Sequence, residues 1–169
     1  MNTPHSLLID GQWISGGARE TGAVLDPSTG KEIGRVPFAT EQDLDHALEV
    51  ADRAFRSWRA TSAYERSVLL RKAAILLRER ADAIARRITL EQGKPLGESL
   101  WEIHAAADIF EWTGEEARRA YGSVIPPRQG HVDQIVLKEP IGPAALFSPW
   151  NGPVFMAGRK IAEAIAAGC

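Results

Sequence analysis

The chain has 169 residues, 44% of them hydrophobic and 25% charged, and its 20 basic and 22 acidic side chains leave a net charge of −2. This is the composition of a globular protein and excludes wholesale disorder. The near balance of charge argues against a nucleic-acid or anionic-membrane surface, because either would need a clustered basic excess.

Two short apolar runs bear on localisation. Residues 1–6 contain no basic segment, and the run at 7–9 is interrupted at once by Asp10-Gly11, so neither a signal peptide nor an anchor is predicted. The run at 161–169 is far shorter than the ~20 residues of a membrane span. The single cysteine excludes an internal disulfide. We therefore expect a soluble, cytoplasmic protein with no membrane partner.

The first forty residues have the pattern of short strands and turns. Residues 7–9 and 12–14 flank Asp10-Gly11, a dipeptide preferred in two-residue hairpins because both turn positions need positive φ. A second turn is predicted at 26–30, followed by an extended segment at 32–38.

Two helix starts are predicted from capping pairs. Thr40 with Asp43, and Ser62 with Glu65, have the spacing at which a hydroxyl and a carboxylate satisfy each other's backbone N–H groups. Apolar residues at helical spacing follow each pair.

The second helical pattern continues to about Leu90, with a break near 79–81. Gly93 is predicted as its C-terminal cap, and Pro95 lies where a first-turn proline is tolerated. A long helix is then predicted from Leu96 to Gly122.

The pattern changes again in the last third of the chain. Alternation of period two predicts an extended segment at 132–138, and the apolar run at 144–147 predicts a short buried strand. A helix is predicted over 154–167, ending at Gly168. Strand, turn and helix in this order open a parallel α/β unit, whose helix needs a following strand to cover it. We therefore interpret the chain as the front part of a larger protein.

Most signatures of chemistry are missing from the sequence. It has no nucleophile elbow, phosphate loop, dinucleotide fingerprint or paired-cysteine zinc spacing. Its four histidines have no metal-ligand spacing, so no metal site is predicted. Cys169 is interpreted as a small buried hydrophobe, because no base or cation lies near it in sequence to activate the thiol as a nucleophile.

The turn at 148–153 is the most informative stretch. It places Asn151 between a predicted strand and a predicted helix, where open α/β sheets bind ligands and where a helix N-terminus favours anionic groups. The Asn amide does not titrate and can donate to a developing oxyanion. Spacing alone favours the simpler hypothesis that Asn151 caps the helix.

Several strings together resemble the aldehyde dehydrogenase superfamily, in that family's order and over essentially the whole chain. They are Ile-Asp-Gly-Gln-Trp at 9–13, Asp-Pro-Ser-Thr-Gly at 26–30, Glu-Gln-Gly-Lys-Pro-Leu at 91–96, Pro-Ile-Gly at 140–142, Ser-Pro-Trp-Asn-Gly-Pro at 148–153, Arg-Lys at 159–160 and Ala-Ala-Gly-Cys at 166–169. The resemblance implies an α/β fold with a hairpin and helices over 1–122 and extended oligomerisation-type strands over 123–140. Residues 141–169 would begin a doubly wound dinucleotide-binding domain with its first βα unit.

The resemblance also implies a function: an oxidoreductase that converts an aldehyde to a carboxylic acid with NAD or NADP. Its nucleophilic cysteine, its water-activating glutamate and the residues that hold the adenosine ribose would lie downstream of Cys169. The implied partners are a small aldehyde, with a carboxylated semialdehyde as the candidate, and further copies of the chain in a homo-oligomer.

Carried over residue by residue, the resemblance assigns a site. The nicotinamide cofactor would be bound by Phe147, Ser148, Pro149, Trp150, Asn151 and Lys160. Asn151 would also donate to the oxyanion. Arg159 resembles the arginine of succinate-semialdehyde dehydrogenases that pairs with the substrate carboxylate, a task suited to a guanidinium. The alternative for Arg159 is an ordinary surface role on the helix.

Two positions depart from the family pattern. Gly152 stands where most members have Phe, which predicts a different aldehyde pocket, and Trp101 replaces a usually small residue. Two other functions stay open at this point. One is a truncated, non-catalytic remnant that associates with intact subunits through 132–138. The other is an independent helical interaction domain.

Overall fold

The computed structural model describes residues 5–169, and in that range the chain is a mixed α/β protein with five helices and three two-stranded antiparallel sheets. The helices are α1 (Glu41–Trp58), α2 (Ala63–Glu79), α3 (Ala81–Gln92), α4 (Leu96–Ala117) and α5 (Pro153–Ala167). The strands are β1 (Leu7–Ile9), β2 (Gln12–Ile14), β3 (Thr21–Leu25), β4 (Glu32–Pro37), β5 (Ser123–Ile125) and β6 (Gln134–Val136). The expectation of no signal segment at 1–6 falls mostly on residues 1–4, outside the described range.

The N-terminal hairpin is confirmed. Strand β1 pairs antiparallel with β2, and both turn residues have positive φ, 50° at Asp10 and 72° at Gly11. The predicted second turn also forms, because the Asp26 carboxylate accepts from the Ser28 hydroxyl and backbone N–H at 2.7 and 2.8 Å. These bonds favour the ionised carboxylate and lower the pKa of Asp26.

Both predicted capping boxes are present. At the start of α1, the Thr40 hydroxyl accepts from the Asp43 N–H at 3.2 Å, and the Asp43 carboxylate accepts from the Thr40 N–H at 2.8 Å. At the start of α2, Ser62 and Glu65 exchange the corresponding bonds at 3.2 and 3.1 Å. The start of each helix is therefore stabilised by hydrogen bonds between residues three positions apart in the chain.

The boundaries of the middle helices agree with those predicted from the sequence, with one exception. The predicted break lies at Arg80, between α2 and α3, and Gly93 caps α3 with a left-handed φ of 70°. Helix α4 ends at Ala117 and not at Gly122. It ends early because the N–H groups of Arg118 and Arg119 bond the carbonyls three residues back, a tighter turn that closes the helix.

The core lies around α4, which packs against α2, α3 and α5. Its buried side chains form two clusters dominated by small residues: Leu70, Ala117, Ala162 and Ala166 in one, and Ala81, Ala85, Ile88 and Ile103 in the other. Small residues let α4 and α5 approach closely. A Cβ added at Gly158 of α5 would lie 3.1 Å from the Phe110 ring of α4.

The predicted strand at 144–147 is not formed. A strand needs ladder partners, and within residues 5–169 none lies beside this segment, so it has no regular secondary structure and is exposed. Of the predicted extended segment at 132–138, residues 134–136 form β6, which pairs with β5 and is exposed along its length. The doubly wound sheet stays a prediction. No helix within the described range combines the length and the apolar character needed to cross a bilayer.

Candidate functional site

The candidate site lies where residues 144–152 lead into the start of α5. The N-cap of α5 is Gly152, which has no side chain to accept from the helix, and Pro153 is the first helical residue. Asn151 precedes the cap and is exposed. The hypothesis that Asn151 caps α5 is therefore wrong, because its place in the chain is one residue too early.

The acceptor for the first turn of α5 comes from another helix. Glu102 of α4 accepts through Oε1 from the N–H groups of Val154 at 2.9 Å and Phe155 at 3.2 Å. Its carboxylate is buried, with the residue 2% exposed. A carboxylate of the chain itself therefore takes the position at this helix N-terminus where an anionic group is favoured.

Lys94 provides the positive charge that pairs with the buried Glu102 carboxylate. Its ammonium group forms an ion pair with Glu102 Oε2 and donates to the Asn151 carbonyl at 2.9 Å. The turn at Gly93 ends α3 immediately before Lys94. With one cation and two backbone N–H donors, the Glu102 carboxylate is fully satisfied in its buried position.

Two further side chains hold the backbone of the segment before α5. Gln92 donates to the Trp150 carbonyl, and Lys160 of α5 donates to the Phe147 carbonyl. The side chains of Phe147 and Trp150 are each 82% exposed. The main chain is thus held in place while both aromatic side chains are left open to contact other groups.

A surface cavity of about 550 Å³ adjoins the junction. It is lined by Lys94, Gly97, Glu98, Trp101, Glu102, Asn151, Gly152, Phe155 and Met156. The rings of Trp101 and Phe155 stack on one wall, with centroids 6.3 Å apart and planes 29° apart. The two departures from the family pattern, Trp101 and Gly152, therefore meet in one cavity with Asn151.

The remaining predicted site residues lie outside this cavity. Ser148 and Pro149 are exposed in the segment that precedes α5. Arg159 is exposed one helical turn after Phe155 and pairs with Glu163 at 3.3 Å. Cys169, interpreted from the sequence as a buried hydrophobe and not as a site residue, is only partly buried and follows the Gly168 cap at the opposite end of the 15-residue α5. At ~1.5 Å per residue, that helix alone separates Cys169 from Asn151 by more than ~20 Å.

Sequence reasoning gave no role to Gln92, Lys94 or Glu102, although two of them lie in a string that it singled out. One signal was present for Glu102. It occurs at helical spacing with Ser99 and Ala106, which are both buried in α4, so a carboxylate on that face needed a partner. Sequence alone does not show that the partner lies at the start of α5.

The chain is similar to known proteins over nearly its whole length. The model of the Aldehyde dehydrogenase family matches residues 13–169. Similar curated proteins include a glutarate-semialdehyde dehydrogenase of Pseudomonas putida, 45% identical, and a succinate-semialdehyde dehydrogenase [NADP(+)] of Escherichia coli, 43% identical. Each match covers 98% of this chain and 34% of the relative.

The fold is also found among solved structures. A crystal structure of an E. coli NADP-dependent enzyme superposes with a TM-score of 0.95 at 42% identity, over 98% of this chain and 34% of that one. The chain thus spans about a third of the length of the proteins it matches.

Proposed function

The chain belongs to the aldehyde dehydrogenase family, and from that premise we propose that it is the N-terminal third of a cytoplasmic enzyme subunit that oxidises a small aldehyde with NAD or NADP. The observation that carries this proposal is the place of Asn151. Its non-titrating amide lines a cavity with an aromatic wall, on a backbone that Lys94 holds through the Asn151 carbonyl.

Asn151 is the proposed catalytic residue of this chain. When a nucleophile adds to the aldehyde carbon, negative charge develops on the carbonyl oxygen. An amide donor already in place stabilises that charge and stays a donor at any physiological pH. Because Asn151 does not cap α5, its side chain is free for this task.

The cofactor site is proposed along the segment before α5. The exposed Phe147 and Trp150 offer flat apolar surface, and Ser148, Pro149 and Asn151 complete the stretch. Lys160 lies against it through its bond to the Phe147 carbonyl. These residues fit a nicotinamide better than a phosphate, since Glu102 already satisfies the first N–H groups of α5. The cofactor, when bound, supplies the acceptor for the hydride of the aldehyde.

We propose an aldehyde with an acidic group at its far end as the substrate. Two of the relatives named above are dehydrogenases of carboxylated semialdehydes. Arg159 is exposed and lies one turn along α5 from the cavity wall at Phe155. A guanidinium there can pair with a carboxylate in bidentate fashion once it leaves Glu163. Gly152, with no side chain, and Trp101 would then shape the aldehyde pocket.

One observation favours a second candidate, a non-catalytic remnant that binds intact subunits. The β5–β6 hairpin is exposed along both strands, and it includes apolar side chains such as Val124, 80% exposed, and Ile135, 64% exposed. An exposed strand edge can add to another sheet. The same surface would serve homo-oligomer formation in a complete enzyme.

The reading frame after Cys169 separates the two candidates. A frame that continues for roughly twice the length of this chain, with a cysteine and a glutamate suited to catalysis, is expected for the enzyme. A stop codon directly after Cys169 in the intact gene would overturn the subunit proposal and favour the remnant.

In the complete subunit, we expect Asn151→Ala to lower kcat by about 10²–10³, the usual effect of losing one oxyanion donor. Steady-state kinetics and the melting temperature are measured on the same sample. Gln129→Ala, which removes an exposed amide away from the cavity, is the matched control and should leave both values unchanged. An Asn151→Ala enzyme with normal kcat would contradict the proposal.

Arg159→Lys tests the acidic substrate in the same assay. It should raise KM for a semialdehyde carboxylate and spare an uncharged aldehyde of equal length, because the ammonium group keeps the charge but loses bidentate geometry. Equal effects on the two aldehydes would rule out a carboxylate contact at Arg159.

A further inference from the structure

We propose that Lys94 and Glu102 are positioning residues that set the place of Asn151 for the reaction, an inference that rests on the proposed role of Asn151. They act through the Asn151 carbonyl and the backbone N–H groups that follow it, and not through contact with the reacting atoms.

One ion pair holds the backbone from the catalytic position to the first turn of α5. Lys94 donates to the carbonyl of Asn151 itself, and Glu102 accepts from the N–H groups of Val154 and Phe155. Lys94 and Glu102 are bonded to each other. The backbone is therefore tied, at both ends of a stretch only five residues long, to a single ion pair whose carboxylate is buried.

No side chain of the N-cap or first helical residue fixes the start of α5. Gly152 has none, and its backbone is the most permissive of any residue. Pro153 lacks an N–H, and α5 has no side-chain cap from its own neighbourhood. Asn151 is exposed, so packing does not fix it. Its position is left to the bonds from Lys94 and Glu102, together with the bond from Gln92 to the carbonyl of Trp150.

Both oxygens of the Glu102 carboxylate have bonding partners. Oε1 accepts from the two backbone N–H groups, and Oε2 pairs with Lys94. The carboxylate has its bonding partners and is 2% exposed, which suits an anchor and not a group that moves protons. A displacement of about 1 Å at a reacting group can cost roughly 10² in rate, so loosening this anchor should be visible in kcat.

A double-mutant cycle in the complete subunit tests the inference. Lys94→Met should lower kcat by about tenfold to 10² in the otherwise natural enzyme, with little change in KM for the cofactor. In the Asn151→Ala background the same change should alter kcat less than about twofold, because the donor that Lys94 positions is already gone. Lys94→Arg, which keeps a cation with several donors, should restore part of kcat.

The controls separate positioning from general damage. Lys72→Met removes an exposed lysine of α2 and should leave kcat unchanged. Glu102→Gln keeps an acceptor for the α5 amides while removing the ion pair, so it tests the pair without emptying the site. Faster hydrogen exchange of the Val154 and Phe155 amides in this variant, with unchanged helical circular dichroism, would show that the anchor is loosened in a folded chain.

Three results would overturn the inference. Lys94→Met could leave kcat unchanged, or it could lower kcat by the same factor in both backgrounds, which would mean that it acts independently of Asn151. If Asn151→Ala itself leaves kcat unchanged, the proposed function fails first and the positioning role fails with it. The Asn151→Ala variant by itself therefore distinguishes a failure of the proposed function from a failure of the positioning role.

Discussion

Helices α2 and α5 begin in opposite ways. The start of α2 is held by Ser62 and Glu65, which belong to the helix and its cap and are exposed. The start of α5 is held by Glu102, a buried carboxylate 52 positions earlier in the chain. A local cap stabilises one helix end, whereas a remote cap also sets where that end lies relative to another helix. The remote cap is found where the candidate catalytic residue must be placed.

The contrast extends to the other end of α5. Arg66 of α2 donates to the Ala166 carbonyl at 3.1 Å, and the Trp58 indole donates to the Ile165 carbonyl at 3.3 Å. A carboxylate at the N-terminus and a guanidinium at the C-terminus both match the helix dipole. Helix α5 is thus held at each end by charged side chains of α4 and α2, whereas the start of α2 is capped by its own neighbouring residues.

The largest effect on stability is expected at the remote cap. Glu102→Ala should lower the free energy of unfolding by about 3–5 kcal/mol, because it leaves the Lys94 ammonium without its anion in a mostly buried site and two backbone N–H groups without an acceptor. Urea unfolding of the 169-residue chain, followed by circular dichroism, measures it.

Glu65→Ala is the matched control for that variant, since Glu65 is also a carboxylate that accepts from a helix-start N–H, but in an exposed local cap. Equal losses for Glu65→Ala and Glu102→Ala would remove the distinction between remote and local caps. If Glu102→Ala shows no folded baseline, Glu102→Gln takes its place in the comparison.

A smaller effect is expected at the local cap. Ser62→Ala should cost about 1 kcal/mol of unfolding free energy, the typical effect of losing an N-cap hydroxyl. The position of Asn151 should not change, because the hydrogen bonds to the Trp150 and Asn151 carbonyls come from Gln92 and Lys94 and not from α2. In the complete subunit kcat should therefore equal that of the natural enzyme. A fall in kcat that follows the loss of stability would show that the two helix starts are not independent.

The smallest effect concerns the cap of α1 and depends on pH. The Arg19 guanidinium, together with Thr40, holds the pKa of the Asp43 carboxyl well below its ordinary value of 3.8. Because the folded-state pKa lies below the unfolded one, the ionised carboxylate adds stability above about pH 4, and that stability is lost as the pH falls toward the folded-state pKa. Urea midpoints from pH 7 to pH 2 for the natural chain and Asp43→Asn should therefore converge on acidification. A difference that is independent of pH would contradict this account.

The predictions from sequence succeeded where bonds close over a few residues. The turn at Asp10-Gly11, the two capping boxes and the cap at Gly93 depend on backbone preferences and on partners at most four residues away. The spacing of residue types contains all the information such features need. The family strings likewise placed Asn151 at the start of a helix.

What only the tertiary structure decided is which distant groups meet. The segment at 144–147 has the composition of a strand but no partner among residues 5–169, and a ladder cannot form on one strand. Asn151 has a type and spacing suited to capping α5, yet the acceptor is Glu102, because the packing of α4 on α5 brings a buried carboxylate to that helix end. A buried charge must find a partner wherever the fold supplies one. The partner is therefore a property of how the helices pack, which no short stretch of sequence contains.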